Sequence, residues 1–413
     1  MPEAAGDTTA GQAAGAAPSG VGSTRDEAYW SELREQFPLS RDRIYLNTGA
    51  LGPSPRAVID AVHAEIERLE AQGESGRAQE RWVGVKDKAA GLLSCGADEL
   101  ALIRNTTEGA NIVCHGLPLE AGDEVIATTQ EHVGNILPWV ERRQRDDIGL
   151  RQLDPGGDAA LCLDRVESLI SPRTRVLTVP HISCATGQVL PVEELGELAS
   201  RHGLWYFVDG AQAPGARPVD LSRLQCQAYA TSGHKWLMGP KGTGLLYVRE
   251  DALDLIRARW VGAYSCGWDG DPNRDLEFVP SAQRYEYGTP NMPVEVGLAA
   301  AIDFVEGIGL ESVWQRDRAL ATVVHEGLVG IGAEVLSPSD PSQRSALTTF
   351  RCPGRDQDAV QGFLSREHAI RGRRVHEGGL DAIRVATHVF NSFAEVECLL
   401  EGVQAALSRD VGA

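Results

Sequence analysis

The chain has 413 residues, 42% of them hydrophobic, and a formal charge of -19. That length and apolar content are enough for two cores, and the acidic balance argues against nucleic acid or an anionic membrane as the main partner. Eight cysteines without a CxxC pair fit reduced thiols better than a disulfide or zinc framework. With no apolar run long enough to span a bilayer and no secretory leader, a cytoplasmic enzyme without a structural metal is expected.

Residues 1–24 are small and polar without apolar period, which predicts a disordered tail. Beyond them, short β-branched runs alternate with helical patterns. "EVIATT", "TRVLTVPH", "LWYFVD", "AYATS" and "GTGLLYV" are the strand candidates, and "PVEELGELASRHG" is typical of the helices between them. The alternation predicts a mainly parallel α/β sheet. From about Ile308 the pattern changes to a smaller α+β unit, with a helix over "ESVWQRDRALATVVHEGLVGIG" and strands over "ALTTFRC" and "AIRVATH". The boundary is expected between residues 300 and 315.

Open parallel sheets bind ligands at the carboxyl ends of their strands. Those positions hold Thr106, Thr107 and Glu108 in "NTTEGAN", His132, Asp209 and Gln212 in "VDGAQAPG", and Ser232, His234 and Lys235 in "SGHK". Singly, each has an ordinary structural reading: a helix cap, a satisfied histidine, an Asp-Gly turn, a solvated lysine. Jointly they meet the separate demands of pyridoxal 5'-phosphate. Its aldehyde needs an amine of lowered pKa, for which Lys235 is the candidate. Its ring nitrogen needs an anion, which Asp209 supplies. Its phosphate needs donors, and "NTTEGAN" opens a helix with two added hydroxyls, completed by Ser232 and His234.

The segment "YATSGHKWLMGPKGTGLLYV" closely resembles the cofactor-lysine segment of the class V aminotransferase family, which includes cysteine desulfurases, selenocysteine lyase and isopenicillin N epimerase. The likeness continues through "YLNTGALGPSP", "NTTEGAN", Glu131-His132, "VDGAQAPG", "YEYGTPNMP" and "IRVATHVFNSFAEVE". It implies the fold of a fold-type I pyridoxal-phosphate enzyme: a large α/β domain with a mainly parallel mixed sheet over 51–305, a smaller α+β domain over 306–413, and an N-terminal segment, 25–50, associated with the latter. It further implies that Lys235 holds the aldehyde, Asp209 pairs with the ring nitrogen and His132 stacks on the ring and helps move protons. Gln212 would bond the ring hydroxyl, while Thr106, Thr107, Ser232 and His234 hold the phosphate. Thr289 would reach the phosphate of a neighbouring subunit, which makes a homodimer the expected unit. Arg384 would grip the substrate carboxylate with its two-pronged guanidinium, and Asn47, Arg371 and His376 would lie near the substrate. Arg371, Arg373 and Arg374 add positive charge on the loop before Arg384.

Desulfurases of this family carry a nucleophilic cysteine on that loop, because sulfur transfer as a persulfide needs a thiolate. Here the loop reads "RGRRVHEGGLDAIR", with His376 where the thiol would lie, so persulfide-forming desulfuration is disfavoured. At "PHISCATGQVLP" the chain offers Ser183 and Cys184 where the family often places asparagine. The expected function is therefore a pyridoxal-phosphate carbon-sulfur lyase or epimerase acting at the α-carbon of an amino acid or amino-acid conjugate. Transamination, decarboxylation and oxidative deamination are the alternatives. A nicotinamide enzyme is discounted, because the glycines of "GPKGTG" precede a strand instead of opening a helix.

Overall fold

The structure, a computed structural model, describes residues 25–74, 79–409 and 411–412; the tail expected over 1–24 lies outside the described residues. Seven strands form the main sheet: β1 (Leu100–Ile103), β2 (Glu124–Thr128), β3 (Gly149–Leu153), β4 (Thr174–Pro180), β5 (Trp205–Asp209), β6 (Ala228–Ser232) and β7 (Gly244–Val248). Their order is β1-β7-β6-β5-β4-β2-β3. Neighbours from β6 to β3 run parallel, and β7 runs antiparallel to both β1 and β6.

The apolar runs are nearly continuous because helices cover both faces of the sheet. Alternation along β5 divides the core: Tyr206 and Val208 join Leu177 and Leu245 on one face, while Phe207 joins Val176, Ala228 and Leu246 on the other. A parallel pair needs a crossover, usually helical, whereas an antiparallel pair does not. The loop 233–243 between β6 and β7 is such a direct connection, and Lys235 stands in it.

The second sheet contains β8 (Glu334–Val335), β9 (Leu347–Arg351), β10 (Arg373–Val375) and β11 (Ala382–Ala386), in the order β8-β9-β11-β10 and antiparallel throughout. Phe350, Ile383 and Val385 pack against Leu320, Val324, Leu399 and Val403 of the helices Leu310–Gly330 and Phe393–Ser408. The N-terminal segment joins this half: Ile44–Tyr45 pairs in parallel with Ile370–Arg371, and Trp30 and Leu33 bury against Val389 and Phe390. Helix Met292–Ile308 passes into helix Leu310–Gly330 at Gly309, whose φ of +89° is one that side chains resist. We place the boundary between the two units there.

Candidate active site

The carboxyl ends of β5 and β6 open into a cavity of about 320 Å³, whose walls include Thr107, His132, Asp209, His234, Lys235 and Arg373. Asn105 caps the helix Thr106–Gly116 by accepting Glu108 N–H, and this helix start, Asn105 to Thr107, lines the same cavity. Ser232 at the end of β6 ties this helix to the lysine loop: its Oγ lies 2.7 Å from Thr106 Oγ1 and accepts Thr106 N–H at 3.1 Å. His132 caps the next helix, Val133–Asp146, its Nδ1 accepting Gly134 N–H at 3.0 Å. The ring proton of the neutral imidazole therefore sits on Nε2.

Burial controls the protonation states. It lowers the Lys235 pKa, with Arg384 and Arg373 acting in the same sense and Asp209 against it. It raises that of Asp209, opposed by Lys235 and by the Ala211 N–H that Oδ1 accepts at 2.9 Å. It pushes His132 and His234 down to about 4, in each case with Lys235 assisting, and His181 down to about 3. Above pH 6.5, the ordinary histidine value, all three are neutral in both the folded and the unfolded chain, and their contribution to stability is complete. As pH falls toward 3–4 the unfolded chain takes up protons that the folded one refuses. Each such proton removes about 1.4 kcal/mol of stability per pH unit. Buried Glu131, raised to about 8, works in the opposite sense over this range, so the histidine share is read as a difference between proteins: the urea midpoint of the cofactor-free wild type is expected to fall more steeply from pH 6.5 to 4 than that of His181→Asn, and equal slopes would contradict the assignment.

The lysine loop is closely held from the N-terminal side. Gly52 N–H donates to the His234 carbonyl at 2.7 Å, and a Cβ at residue 52 would come within 1.8 Å of the Lys235 carbonyl oxygen. Backbone atoms cannot yield there, so Gly52→Ala is expected to cost about 1–3 kcal/mol, read as a lowered denaturation midpoint, and to weaken cofactor retention.

Arg384 is fully buried, and its Nη1 donates to the Cys184 carbonyl. Among the described residues Nε and Nη2 have no partner, and a Cβ at Gly49, itself on the cavity wall, would lie 3.2 Å from Nη2. Its pKa is lowered to about 10 by burial and then by Arg373. Asn47 is also buried, with Oδ1 unpartnered, and bridges Ala386. A buried guanidinium short of an anion, orphaned polar atoms at Asn47 and His234 Nδ1, a helix N-terminus, and a lysine-aspartate pair on one cavity together fit pyridoxal 5'-phosphate and a carboxylate-bearing substrate.

Several expected residues lie elsewhere. Arg371 is exposed on the strand paired with Tyr45, and His376 is exposed beyond β10; neither lines the cavity, which takes Arg373 instead. The chain exchanges one strand partner for another at Gly372, so alternation does not carry the facing of Arg371 through to the next strand. Arg374 turns away to Asp358 and Asp381. Gln212 also lies off the cavity wall: its Nε2 donates to the Gly49 carbonyl at 2.9 Å and its Oε1 accepts Trp236 Nε1–H at 2.7 Å. The amide is spent on protein partners, leaving one N–H. Thr289 is exposed in a turn beside Arg104 and Gly242, away from this cavity. Reading the strand ends missed Gly49 and Ala50, which reach the wall from the N-terminal segment; the turn signal "NTGALGP" was the available clue.

The model of Aminotransferase class-V matches residues 44–399. Isopenicillin N epimerase of Amycolatopsis lactamdurans is 32% identical over 394 residues, covering 91% of this chain and 98% of that protein. The apo structure of cysteine desulfurase from Thermococcus onnurineus NA1 superposes with a TM-score of 0.84 at 28% identity, covering 92% and 98% of the two chains. The cystine C-S lyase C-DES in complex with its reaction product cysteine persulfide gives 0.80 at 29% identity, covering 89% and 99%. A C-DES mutant with glycine covalently linked to the PLP cofactor gives 0.81 at 29% identity, covering 90% and 98%. Among the described residues no helix is long and apolar enough to cross a membrane. A family match over most of the chain, with a matching fold and a cavity of fitting chemistry, makes this chain a member of the class-V aminotransferase family of pyridoxal 5'-phosphate enzymes.

Proposed function

We propose that the protein removes the α-proton of an amino acid or amino-acid conjugate and completes a β-elimination that breaks a carbon-sulfur bond. The observation that carries the proposal is the meeting of Lys235, Asp209 and His132 on one cavity, with the half-satisfied guanidinium of Arg384 behind Gly49. The bound cofactor supplies the electron sink that makes the α-carbon acidic. Lys235 would hold its aldehyde and Asp209 its ring nitrogen; the first turn of Thr106–Gly116, with Thr107 and His234, would hold its phosphate. Ser232 acts by fixing Thr106. Arg384 orients the substrate through its carboxylate, which sets the bond presented for cleavage. Lys235 Nζ, its pKa lowered by burial, would be the base for the α-proton, and neutral His132, on the same cavity wall, would stack on the ring and help move that proton.

Against persulfide formation on the enzyme, Cys184, the thiol beside Arg384, is buried with its pKa pushed up to about 12, so it stays protonated and a poor nucleophile. Epimerisation is the second reading, favoured by the likeness to isopenicillin N epimerase; it shares the first step, after which a proton returns to the opposite face of the α-carbon and no β-substituent is lost. S-substituted cysteines incubated in deuterated water separate the two. Elimination consumes one water and gives pyruvate, ammonia and the free thiol, whereas epimerisation gives the inverted amino acid carrying deuterium at the α-carbon. Failure of any candidate to exchange its α-proton would sink both.

A homodimer is the unit we propose. The exposed apolar residues Trp260, Val261 and Trp268 support an interface on that side. The exposure of Thr289 suits a role across it, at the phosphate of the neighbouring subunit.

A further inference from the structure

The three carbonyls around the lysine are each held by a different part of the molecule. That of His234 accepts Gly52 N–H from the N-terminal segment at 2.7 Å, and that of Lys235 accepts Met238 N–H within the loop at 3.1 Å. The Trp236 carbonyl lies 3.1 Å from His388 Nε2. His388 stands just beyond β11, four residues after Arg384, and its Nδ1 lies 3.0 and 3.2 Å from the two oxygens of Asp317 on helix Leu310–Gly330. Both side chains are fully buried. A carbonyl only accepts, so Nε2 carries a proton, and Asp317 fixes the ring from the other side, as a carboxylate orients a working histidine elsewhere. The Trp236 side chain is held too, with its indole N–H on Gln212 and its ring edge-on to His388 at a centroid distance of 5.2 Å. Met238 completes the turn at φ +57°, a left-handed conformation disfavoured for its side chain, so this backbone depends on its tethers.

We infer that His388, oriented by Asp317, is a positioning residue for Lys235: its bond to the Trp236 carbonyl fixes the peptide that aims the amine at the cofactor. The same short stretch of chain carries Arg384, so carboxylate recognition and placement of the lysine share one support. The inference rests on the reading that Lys235 holds the cofactor.

The test compares variants that all remove the buried Asp317–His388 contact but differ in the donor to Trp236. His388→Phe and His388→Met have none. His388→Gln retains an amide N–H, and Asp317→Asn leaves the histidine Nε2–H in place. With the full-length protein, the dissociation constant for pyridoxal 5'-phosphate is expected to rise about tenfold in the donor-less pair, together with an altered visible circular dichroism band. His388→Gln and Asp317→Asn are expected to stay near wild type in both readouts while sharing a lowered melting midpoint. Should Phe not fold, the Met and Gln variants make the same comparison. Wild-type affinity and spectrum in a donor-less variant, or equal changes in Asp317→Asn, would overturn the inference. Cofactor that borohydride still fixes to the Lys235→Ala protein would instead overturn the assignment beneath it.

Discussion

Lys235→Ala is expected to abolish borohydride fixation of the cofactor to the protein and to lower turnover by at least about a thousandfold. Two functions are lost together: the amine that holds the aldehyde and the base that takes the α-proton. The environment shows why this amine suits both. Burial disfavours its charged form, and Arg384 and Arg373 add to that effect, so a neutral nucleophile is available at a pH where a solvated lysine would be almost wholly protonated. Asp209 opposes the shift. Covalent fixation of the cofactor to the variant protein would mean that another group holds the aldehyde.

The second large effect is expected at Arg384. Its guanidinium is fully buried, and Nε and Nη2 are both unsatisfied among the described residues. A substrate carboxylate would supply the missing acceptors in a forked geometry. Arg384→Ala should therefore lower kcat/KM by about a hundredfold or more, equivalent to roughly 3 kcal/mol of charge-assisted hydrogen bonding. Arg384→Lys should recover only part of this, because an ammonium carries the charge without the fork. The control is a decarboxylated amine: its already poor kcat/KM should be nearly unaffected by Arg384→Ala. Equal losses on acid and amine would assign Arg384 a structural role through the Cys184 carbonyl.

Much of this was legible in the sequence. Asp209, Ser232 and Lys235 follow apolar runs whose length and β-branched content mark buried strands, and strand ends in such sheets face a common crevice. Other features were hidden for physical reasons. β3 sits on the sheet edge, where Arg151 and Gln152 dilute its apolar pattern. β7 reads like any parallel strand, since apolar content carries no direction. The facing of Arg371 against Arg373 turns on a change of strand partner at Gly372. Gln212 is polar and well placed in sequence, yet Trp236 and Gly49 consume it. The Asp317–His388 pair spans 71 positions, so no local spacing announces it.

One measurement bears most directly on the cofactor's attachment. The loaded protein is treated with borohydride, digested, and its peptides weighed. The added pyridoxyl phosphate mass should fall on the peptide containing Lys235 and on no other. A label on a different lysine, or none at all from protein saturated with the cofactor, would contradict the account.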